Sequence, residues 1–242
     1  MSVAFLQFTD RLSINLEAPD AKHLAELSPS KNYASDLVGG LEKIVRVNHQ
    51  KPLKAGITTQ LVVGAAKETD REILNLSGRL YRDYKLWRVY YSAFMPILDT
   101  PLEELPPCSP LREYRLYQAD FLLRRYGFTP QELPFEKNGN LPQDCDPKLA
   151  WALRHEDKFP LEVNKAGFEE LLRVPGIGRI SARRIVETRK QEKFTRLDQL
   201  RRTGVVTGRA RNFLTLQGRF CPSGERKATP QINEQLFLWE EL

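Results

Sequence analysis

The chain has 242 residues, of which 41% are hydrophobic, and its 37 lysines and arginines exceed its 31 aspartates and glutamates. This length accommodates one large or two ordinary domains, and the apolar content is sufficient to build a core, which excludes a wholly disordered chain. The net charge of +6 indicates an anionic partner only if the excess is concentrated in one region.

The sequence has no features of a membrane or secreted protein. No run approaches 18 apolar residues, and the N-terminus has neither a basic leader nor the apolar stretch of a signal peptide. We therefore expect a cytoplasmic protein, nucleoid-associated in a bacterium, with no membrane partner. The cysteines and histidines are dispersed, so we expect reduced thiols, no metal site and no catalytic residue; they are Cys108, Cys145, Cys221, His23, His49 and His155.

The first hundred residues alternate strand and helix patterns in the order β-α-β-α-β. The predicted strands are Leu12–Leu16, Leu61–Val63 and Val89–Phe94. One helix is predicted over 34–47, and the next begins with a Thr69-x-x-Glu72 capping box. Three parallel strands leave exposed sheet edges, so we expect an incomplete α/β barrel whose other strands lie elsewhere.

A region rich in proline and glycine separates this half from the rest of the chain. Pro96 to Pro110 interrupts the pattern, a helix is predicted over 111–126, and an extended connector follows over 127–146. A short helix over 148–153 then opens the second domain. The predicted domains are therefore 1–126, a partial α/β barrel; 127–146, a connector; 147–220, an all-α domain; and 221–242, a linker and an apolar tail.

Two short helices joined by a glycine turn are predicted after Asn164, which we expect to cap the first helix. Pro175 ends that helix, Gly176 and Gly178 allow tight or positive-φ backbone, and Ile177 fills the space between the helices. The amides of Gly176, Gly178 and Arg179 then lie at a helix N-terminus, where hydrogen bonds and the helix dipole favour a phosphate. A packing element between domains is the alternative interpretation.

The segment Leu171-x-x-Val-Pro-Gly-Ile-Gly-x-x-x-Ala182 resembles the signature of the helix-hairpin-helix family. The resemblance implies binding of DNA, most readily duplex DNA, by its phosphate backbone. Residues 194–211 look like a degenerate second hairpin, with three residues between Gly204 and Gly208, so phosphate binding there is not expected. The residues that we predict to bind DNA are Pro175, Gly176, Ile177, Gly178, Arg179, Ser181, Arg183 and Arg184.

The positive charge is concentrated in this segment. Between Arg173 and Arg211 there are twelve basic and three acidic residues, an excess of nine that is larger than the net charge of the whole chain. A localised basic region is typical of proteins that bind nucleic-acid backbones. No helix carries Asn, Gln and Arg at base-reading spacing, so we expect binding that is independent of sequence.

A second resemblance covers nearly the whole chain. It rests on the segments 10–19, 29–32, 58–66, 90–94, 111–120 and 146–153, which are similar to the DNA modification/repair radical S-adenosylmethionine proteins. The resemblance implies a partial barrel that binds S-adenosylmethionine and holds a [4Fe-4S] cluster through a Cys-x-x-x-Cys-x-x-Cys loop. This chain has no such loop, so we expect it to be catalytically inactive alone and to need a cluster-bearing half, supplied in trans or upstream.

Four residues at the predicted strand ends are candidates for part of the cofactor site, because active sites of barrels lie at the carboxyl ends of the strands. They are Asn15, Glu17, Gly64 and Ser92. For Asn15 and Glu17 a polar pair that caps a turn is an equal alternative, and for Gly64 a turn position is the stronger one.

The C-terminal tail contains Gln235-Leu-Phe-Leu-Trp239, which is similar to the peptide by which bacterial DNA-repair and replication proteins bind the sliding clamp. Gln235, Leu236, Leu238 and Trp239 are the predicted contacts, and packing on the protein's own surface is the alternative. Two functional hypotheses follow: the later half of a repair-associated radical S-adenosylmethionine enzyme, and a non-catalytic DNA adaptor that tethers a partner such as the clamp. A hydrolase or transferase of another type has little support.

Overall fold

The computed structural model describes residues 9–220, and the chain divides into two units, Met1–Trp151 and Ala152–Leu242. The predicted clamp-binding residues Gln235, Leu236, Leu238 and Trp239 lie outside the described residues. None of the helices within 9–220 is long and apolar enough to span a bilayer.

The first unit is built on a parallel three-stranded sheet in the order β1-β2-β3, with β1 at Leu12–Ser13, β2 at Ile57–Val63 and β3 at Arg88–Ala93. The predicted parallel sheet with helices between its strands is therefore confirmed. No closed barrel is present in the described residues, and the three strands end in two sheet edges.

Helices follow each strand. They are α1 (Ala21–Leu27), α2 (Gly39–Gln50), which continues from a π-helical segment at Tyr33–Val38, α3 (Asp70–Asp83), α4 (Pro110–Arg125) and α5 (Pro147–Arg154). The predicted capping box is confirmed: the Thr69 amide donates to the Glu72 carboxylate at 2.7 Å, and the Glu72 amide donates to the Thr69 hydroxyl at 3.3 Å. Helix α1, capped by the Asp20 side chain, is an element that the sequence analysis missed.

The core of this unit lies between the sheet and its helices. Strand β2 is central, and its Ile57, Leu61 and Val63 are buried, as are apolar residues of α2 and α3 such as Leu41 and Ile73. A strand buried on both faces is expected in a parallel sheet that is covered by helices. Burial of these side chains is the main contribution that holds the three strands together.

Strand β1 is shorter than predicted. The amide of Leu16 donates to the side-chain hydroxyl of Thr59 at 3.1 Å instead of to a backbone carbonyl, and Glu17 has a φ of +62°. Pairing returns only as an isolated bridge between Glu17 and Leu61. The predicted strand over Leu12–Leu16 is therefore interrupted after Ser13.

The segment 127–146, for which we expected an extended connector, is packed. Its Phe128, Leu133 and Leu141 are buried. The amide of Leu141 donates to the carboxylate of Asp70 at 2.9 Å, and the amide of Asp70 donates to the Asn140 side chain at 3.2 Å. These long-range hydrogen bonds tie the segment to the start of α3, which local sequence patterns do not show.

Up to residue 220, the second unit contains the short helices α6 (Phe168–Arg173), α7 (Arg179–Thr188), α8 (Leu197–Arg202) and α9 (Thr207–Ala210). It also has a small sheet that corrects the prediction of an all-α domain: β4 (Leu161–Glu162) pairs in parallel with β5 (Leu214–Leu216), which pairs antiparallel with β6 (Arg219–Phe220). Strands of two or three residues carry too little alternation to be recognised.

Candidate nucleic-acid interface

The turn between α6 and α7 forms the predicted hairpin. Helix α6 ends at Arg173, and the Ile177 amide donates to the Val174 carbonyl at 3.1 Å. Gly176 has a φ of +83°, a conformation that only glycine adopts without strain. Val174 and Ile177 are buried, so the turn is held by its apolar side chains, while Gly176 and Gly178 are partly exposed.

The start of α7 presents backbone donors. Gly178 is its N-cap residue and has ordinary extended backbone (φ −93°, ψ 174°). Within residues 9–220, the amides of Gly176, Gly178 and Ile180 donate to no acceptor. The first amides of a helix have no partner inside it, and they carry the positive end of the helix dipole. This cluster of three amides is therefore a site that suits an anion.

Exposed basic side chains lie on the helices of both hairpins. Arg179, Arg183 and Arg184 are exposed on α7, and Arg201 and Arg202 are exposed on α8. The side chains of Arg183, Arg201 and Arg202 form no ion pair or hydrogen bond with any described residue, so their guanidinium groups are available to a ligand. Arg184 only reaches the Thr203 carbonyl, at 3.5 Å.

Not every basic residue of the segment belongs to this surface. Arg189 donates to the carbonyls of Val163 and Ala166 at 2.8 and 2.6 Å and so stabilises the unit internally. Lys190 pairs with Glu187 at 3.0 Å, and Arg196 pairs with Asp198 at 3.0 Å. The charge excess of the sequence is therefore larger than the charge available to a ligand.

Three of the predicted DNA-binding residues are buried: Pro175, Ile177 and Ser181. Ser181 lies beside the second hairpin, since a Cβ on Gly204 would be 3.1 Å from its hydroxyl. These residues shape the turn, whereas Gly176, Gly178, Arg179, Arg183 and Arg184 are the predicted residues that reach its surface.

The second hairpin has a different register from the one we expected. Gly204 has a φ of +92° and Val205 is buried, so the Gly204–Val205–Val206 turn corresponds to Gly176–Ile177–Gly178. Gly208 is not part of the turn but lies within α9. Val206 takes the place of the second glycine, which is why the spacing between Gly204 and Gly208 was misleading.

The two turns contact each other directly. The Val206 amide donates to the Gly176 carbonyl at 2.9 Å. A Cβ on Gly176 would lie 2.6 Å from the Val206 carbonyl oxygen. The amide that corresponds to Gly178 is therefore used inside the protein, so the two hairpins do not offer equivalent phosphate sites.

We expected Asn164 to cap α6, but the N-cap residue of this helix is Gly167. The Asn164 side chain donates to the Phe194 carbonyl at 2.9 Å and accepts from the Phe194 amide at 2.8 Å. Asn164 thus links the segment before the first hairpin to the start of the second. The adjacent Glu162 accepts hydrogen bonds from the amides of Gly218 and Gln217.

The four candidate cofactor residues have other contacts or are dispersed along the sheet. The Glu17 carboxylate pairs with Lys31 at 2.7 Å, and Asn15, which is exposed, accepts from the Ser13 hydroxyl at 3.1 Å. The Gly64 amide donates to the Glu68 carboxylate, and Ser92 lies opposite Val62 in the sheet.

The local structure alone accounts for a glycine at position 64. Its φ is +93°, and a Cβ there would lie 2.7 Å from the Cβ of Cys108. The loop after β2 is instead organised by Arg112, which donates to the buried Asp70 at 2.7 Å and to the Glu68 carbonyl at 2.6 Å. This buried charge network was not identified from the sequence.

Comparisons with known proteins agree with the geometry of the second unit. Residues 158–207 match the family model described as the helix-hairpin-helix motif. No curated protein and no solved structure matches the chain. The chain therefore contains a helix-hairpin-helix motif, which indicates nucleic-acid binding.

Proposed function

We propose that the first hairpin holds duplex DNA by its phosphate backbone without reading the base sequence. The observation that carries the proposal is the cluster of three available amides at Gly176, Gly178 and Ile180, next to the exposed Arg183 and Arg184. Amides at a helix N-terminus bind a phosphate oxygen by hydrogen bonds, and guanidinium groups neutralise the charge of neighbouring phosphates.

The side chains of α7 support backbone binding over base recognition. The helix has the sequence RISARRIVET, with neither Asn nor Gln, whereas base recognition in the major groove uses bidentate Asn, Gln and Arg side chains on one helix. Ile180, which is 59% exposed, adds an apolar contact that suits a deoxyribose.

The proposal is tested by the salt dependence of binding to two labelled duplexes of unrelated sequence. We expect equal affinities for both and a steep linear fall of log K with log salt concentration. Arg183→Gln removes one phosphate contact, so it reduces the slope by about one. An affinity that differs tenfold between the two duplexes, or that does not change with salt, contradicts the proposal.

We further propose that the DNA-binding chain belongs to a DNA modification/repair protein of the radical S-adenosylmethionine type. The two sheet edges support this placement. At the outer edge of β3, the Tyr117 hydroxyl bonds to the amide and carbonyl of Tyr91 at 3.0 and 2.9 Å, and Glu113 accepts from the Ala93 amide at 2.7 Å. Helix α4 therefore closes that edge.

Within residues 9–220, no strand pairs with the outer edge of β1. The amides of Leu12 and Ile14 donate toward β2, but those of Ser13 and Asn15 have no acceptor among the described residues. Unpaired strand edges tend to pair with another strand. A cluster-bearing half in trans is the partner that we propose for this edge.

The chain's own cysteines do not have the spacing of the cluster loop that the family resemblance implies. Iron–sulfur clusters are held by cysteine thiolates, but Cys108, Cys145 and Cys221 are far apart in the sequence and form no Cys-x-x-x-Cys-x-x-Cys segment. We therefore propose that any cluster and the bound S-adenosylmethionine depend on the partner half, and that the chain alone is inactive.

This placement is tested with the polypeptide that carries the Cys-x-x-x-Cys-x-x-Cys loop. We expect it to co-elute with the chain, and Ser13→Pro to prevent co-elution, because proline removes the outward amide while leaving the bonds from Leu12 and Ile14 to β2. Independent elution of the two polypeptides contradicts the placement.

A non-catalytic adaptor is the alternative, and the tail sequence Gln235–Trp239 favours it. In this case the hairpin holds DNA and the tail holds a sliding clamp. Removal of the last eight residues should abolish clamp binding and leave DNA binding unchanged. Clamp binding that is unaffected by the truncation contradicts the adaptor.

A further inference from the structure

A groove in the first unit lies apart from the residues considered above. Its volume is about 510 Å³, and it is lined by α3, by the C-terminal end of α4 and by the segment after it. Helix α3 approaches that segment so closely that a Cβ on Gly78 would be 2.5 Å from Pro130. The volume is within the range of roughly 300–1,000 Å³ that is usual for small-molecule sites.

Trp87 lines this groove and is 56% exposed. Its backbone is fixed, because its amide donates to the Ile57 carbonyl at 2.8 Å. Its Cβ also packs closely on Gly56, where an added Cβ would lie only 2.8 Å from it. A large aromatic side chain that is exposed on a rigid backbone suits the stacking of a planar ligand.

Arg124 supplies an oriented cation to the same groove. Its Nε donates to Asp120 at 2.7 Å. Asp120 is fully buried and also accepts from the hydroxyls of Tyr81 and Tyr91. The side chain of Arg124 is 17% exposed, and among the described residues the other N–H groups of its guanidinium have no acceptor.

The groove carries excess positive charge. Arg82, Lys85 and Arg124 line it, while the carboxylates that pair with these three are Asp83, 2.8 Å from Arg82, and Asp120. Lys85 is exposed and forms no ion pair or hydrogen bond with a described residue. A fixed guanidinium and a lysine that line the same groove are an arrangement that suits a phosphate group.

We propose that this groove binds a nucleotide, with the base stacked on Trp87 and the phosphate held by Arg124 and Lys85. The same chemistry is presented by a free nucleoside phosphate and by one nucleotide of a single strand. The site is independent of the hairpin, since it is formed by residues of the first unit alone.

The experiment uses the full chain with Gly178→Glu, which removes the hairpin site. Tryptophan fluorescence and calorimetry are recorded with adenosine 5′-monophosphate, with adenosine, and with a hexamer of deoxyadenylate. Trp87→Leu keeps an apolar side chain but removes the stacking surface. Lys85→Gln removes one charge, and Lys67→Gln is its matched control, because Lys67 is also exposed and has a similar φ (+59° against +53°) but lies outside the groove.

We expect binding of the monophosphate or of the hexamer, weaker binding of adenosine, and a loss of about tenfold or more in Trp87→Leu, the size typical of one base–aromatic stack. Lys85→Gln should weaken binding and Lys67→Gln should not. Binding of the monophosphate assigns a free nucleotide, whereas binding of the hexamer alone assigns a strand. If neither ligand binds, or if Trp87→Leu and Lys85→Gln bind as tightly as their parent, the proposal is wrong.

Discussion

Gly176→Ala tests how the two hairpins are held together. Gly176 has a φ of +83°, and an added Cβ would lie 2.6 Å from the Val206 carbonyl oxygen, which is backbone and so cannot rotate away. Relief of this clash requires the two turns to separate. That movement breaks the hydrogen bond of 2.9 Å from the Val206 amide to the Gly176 carbonyl.

The magnitude follows from these two effects. An alanine in the left-handed region costs about 1–2 kcal/mol, and the lost backbone hydrogen bond costs about 1 kcal/mol. We therefore expect Gly176→Ala to lower the free energy of unfolding of the second unit by about 2–3 kcal/mol.

The assay is urea denaturation of the full chain, followed by far-ultraviolet circular dichroism. Gly208→Ala is the matched control: Gly208 lies within α9, and a Cβ there meets nothing within 4 Å. This substitution should stabilise the second unit by about 0.5–1 kcal/mol, because alanine favours a helix. If Gly176→Ala unfolds at the same urea concentration as the parent or as Gly208→Ala, the described contact between the turns is wrong.

Two further predictions concern the second unit. Burial opposes ionisation of Glu162, but hydrogen bonds from Gly218, Asn164, Gln217 and Thr215 lower its pKa. The ionised carboxylate therefore stabilises the fold above the usual glutamate pKa of about 4.3. This stabilisation is lost as the pH falls through the lowered pKa. Glu162→Gln should be about 1–2 kcal/mol less stable at pH 7, and thermal melts of the two proteins should converge in acid; a constant difference down to pH 2 would refute this role. Gly208→Glu places a carboxylate in open space on the second hairpin. If the first hairpin alone binds phosphate, the affinity for duplex DNA, measured by fluorescence anisotropy, should change less than twofold. A tenfold loss of affinity would show that both hairpins bind phosphate.

The first hairpin was predictable because its information is local. A proline that ends a helix, two glycines and a buried isoleucine lie within four consecutive residues, Pro175–Gly178, and each has a conformational reason to be there. The capping box of α3 was predictable for the same reason, since its residues are three apart.

The second hairpin was predicted in outline but not in register. The search for a pair of glycines selected Gly208, whereas the structure uses Val206 in the turn. Valine is tolerated there because the residue has a negative φ of −77°. The residue types alone do not show which position of a degenerate turn needs the positive φ of glycine and which position accepts another residue.

Other features depend on contacts between residues that are distant in sequence. The packing of 127–146 depends on hydrogen bonds from Asn140 and Leu141 to Asp70. The nucleotide groove combines Trp87 with Arg124, and it is the buried Asp120 that orients the arginine. Neither arrangement has a periodicity or spacing that could be read in one sequence.

The central claim is that the amides at the start of α7 bind the DNA backbone, and the most direct measurement is the duplex affinity of Gly178→Glu. This position has ordinary extended backbone, so its conformation does not require glycine, and we expect the added carboxylate to repel a phosphate from the neighbouring amides. Gln191→Glu, at an exposed residue after α7, is the control for the change in charge. We expect Gly178→Glu to abolish most of the binding at low salt and Gln191→Glu to retain it; equal affinities of the two variants would contradict the claim.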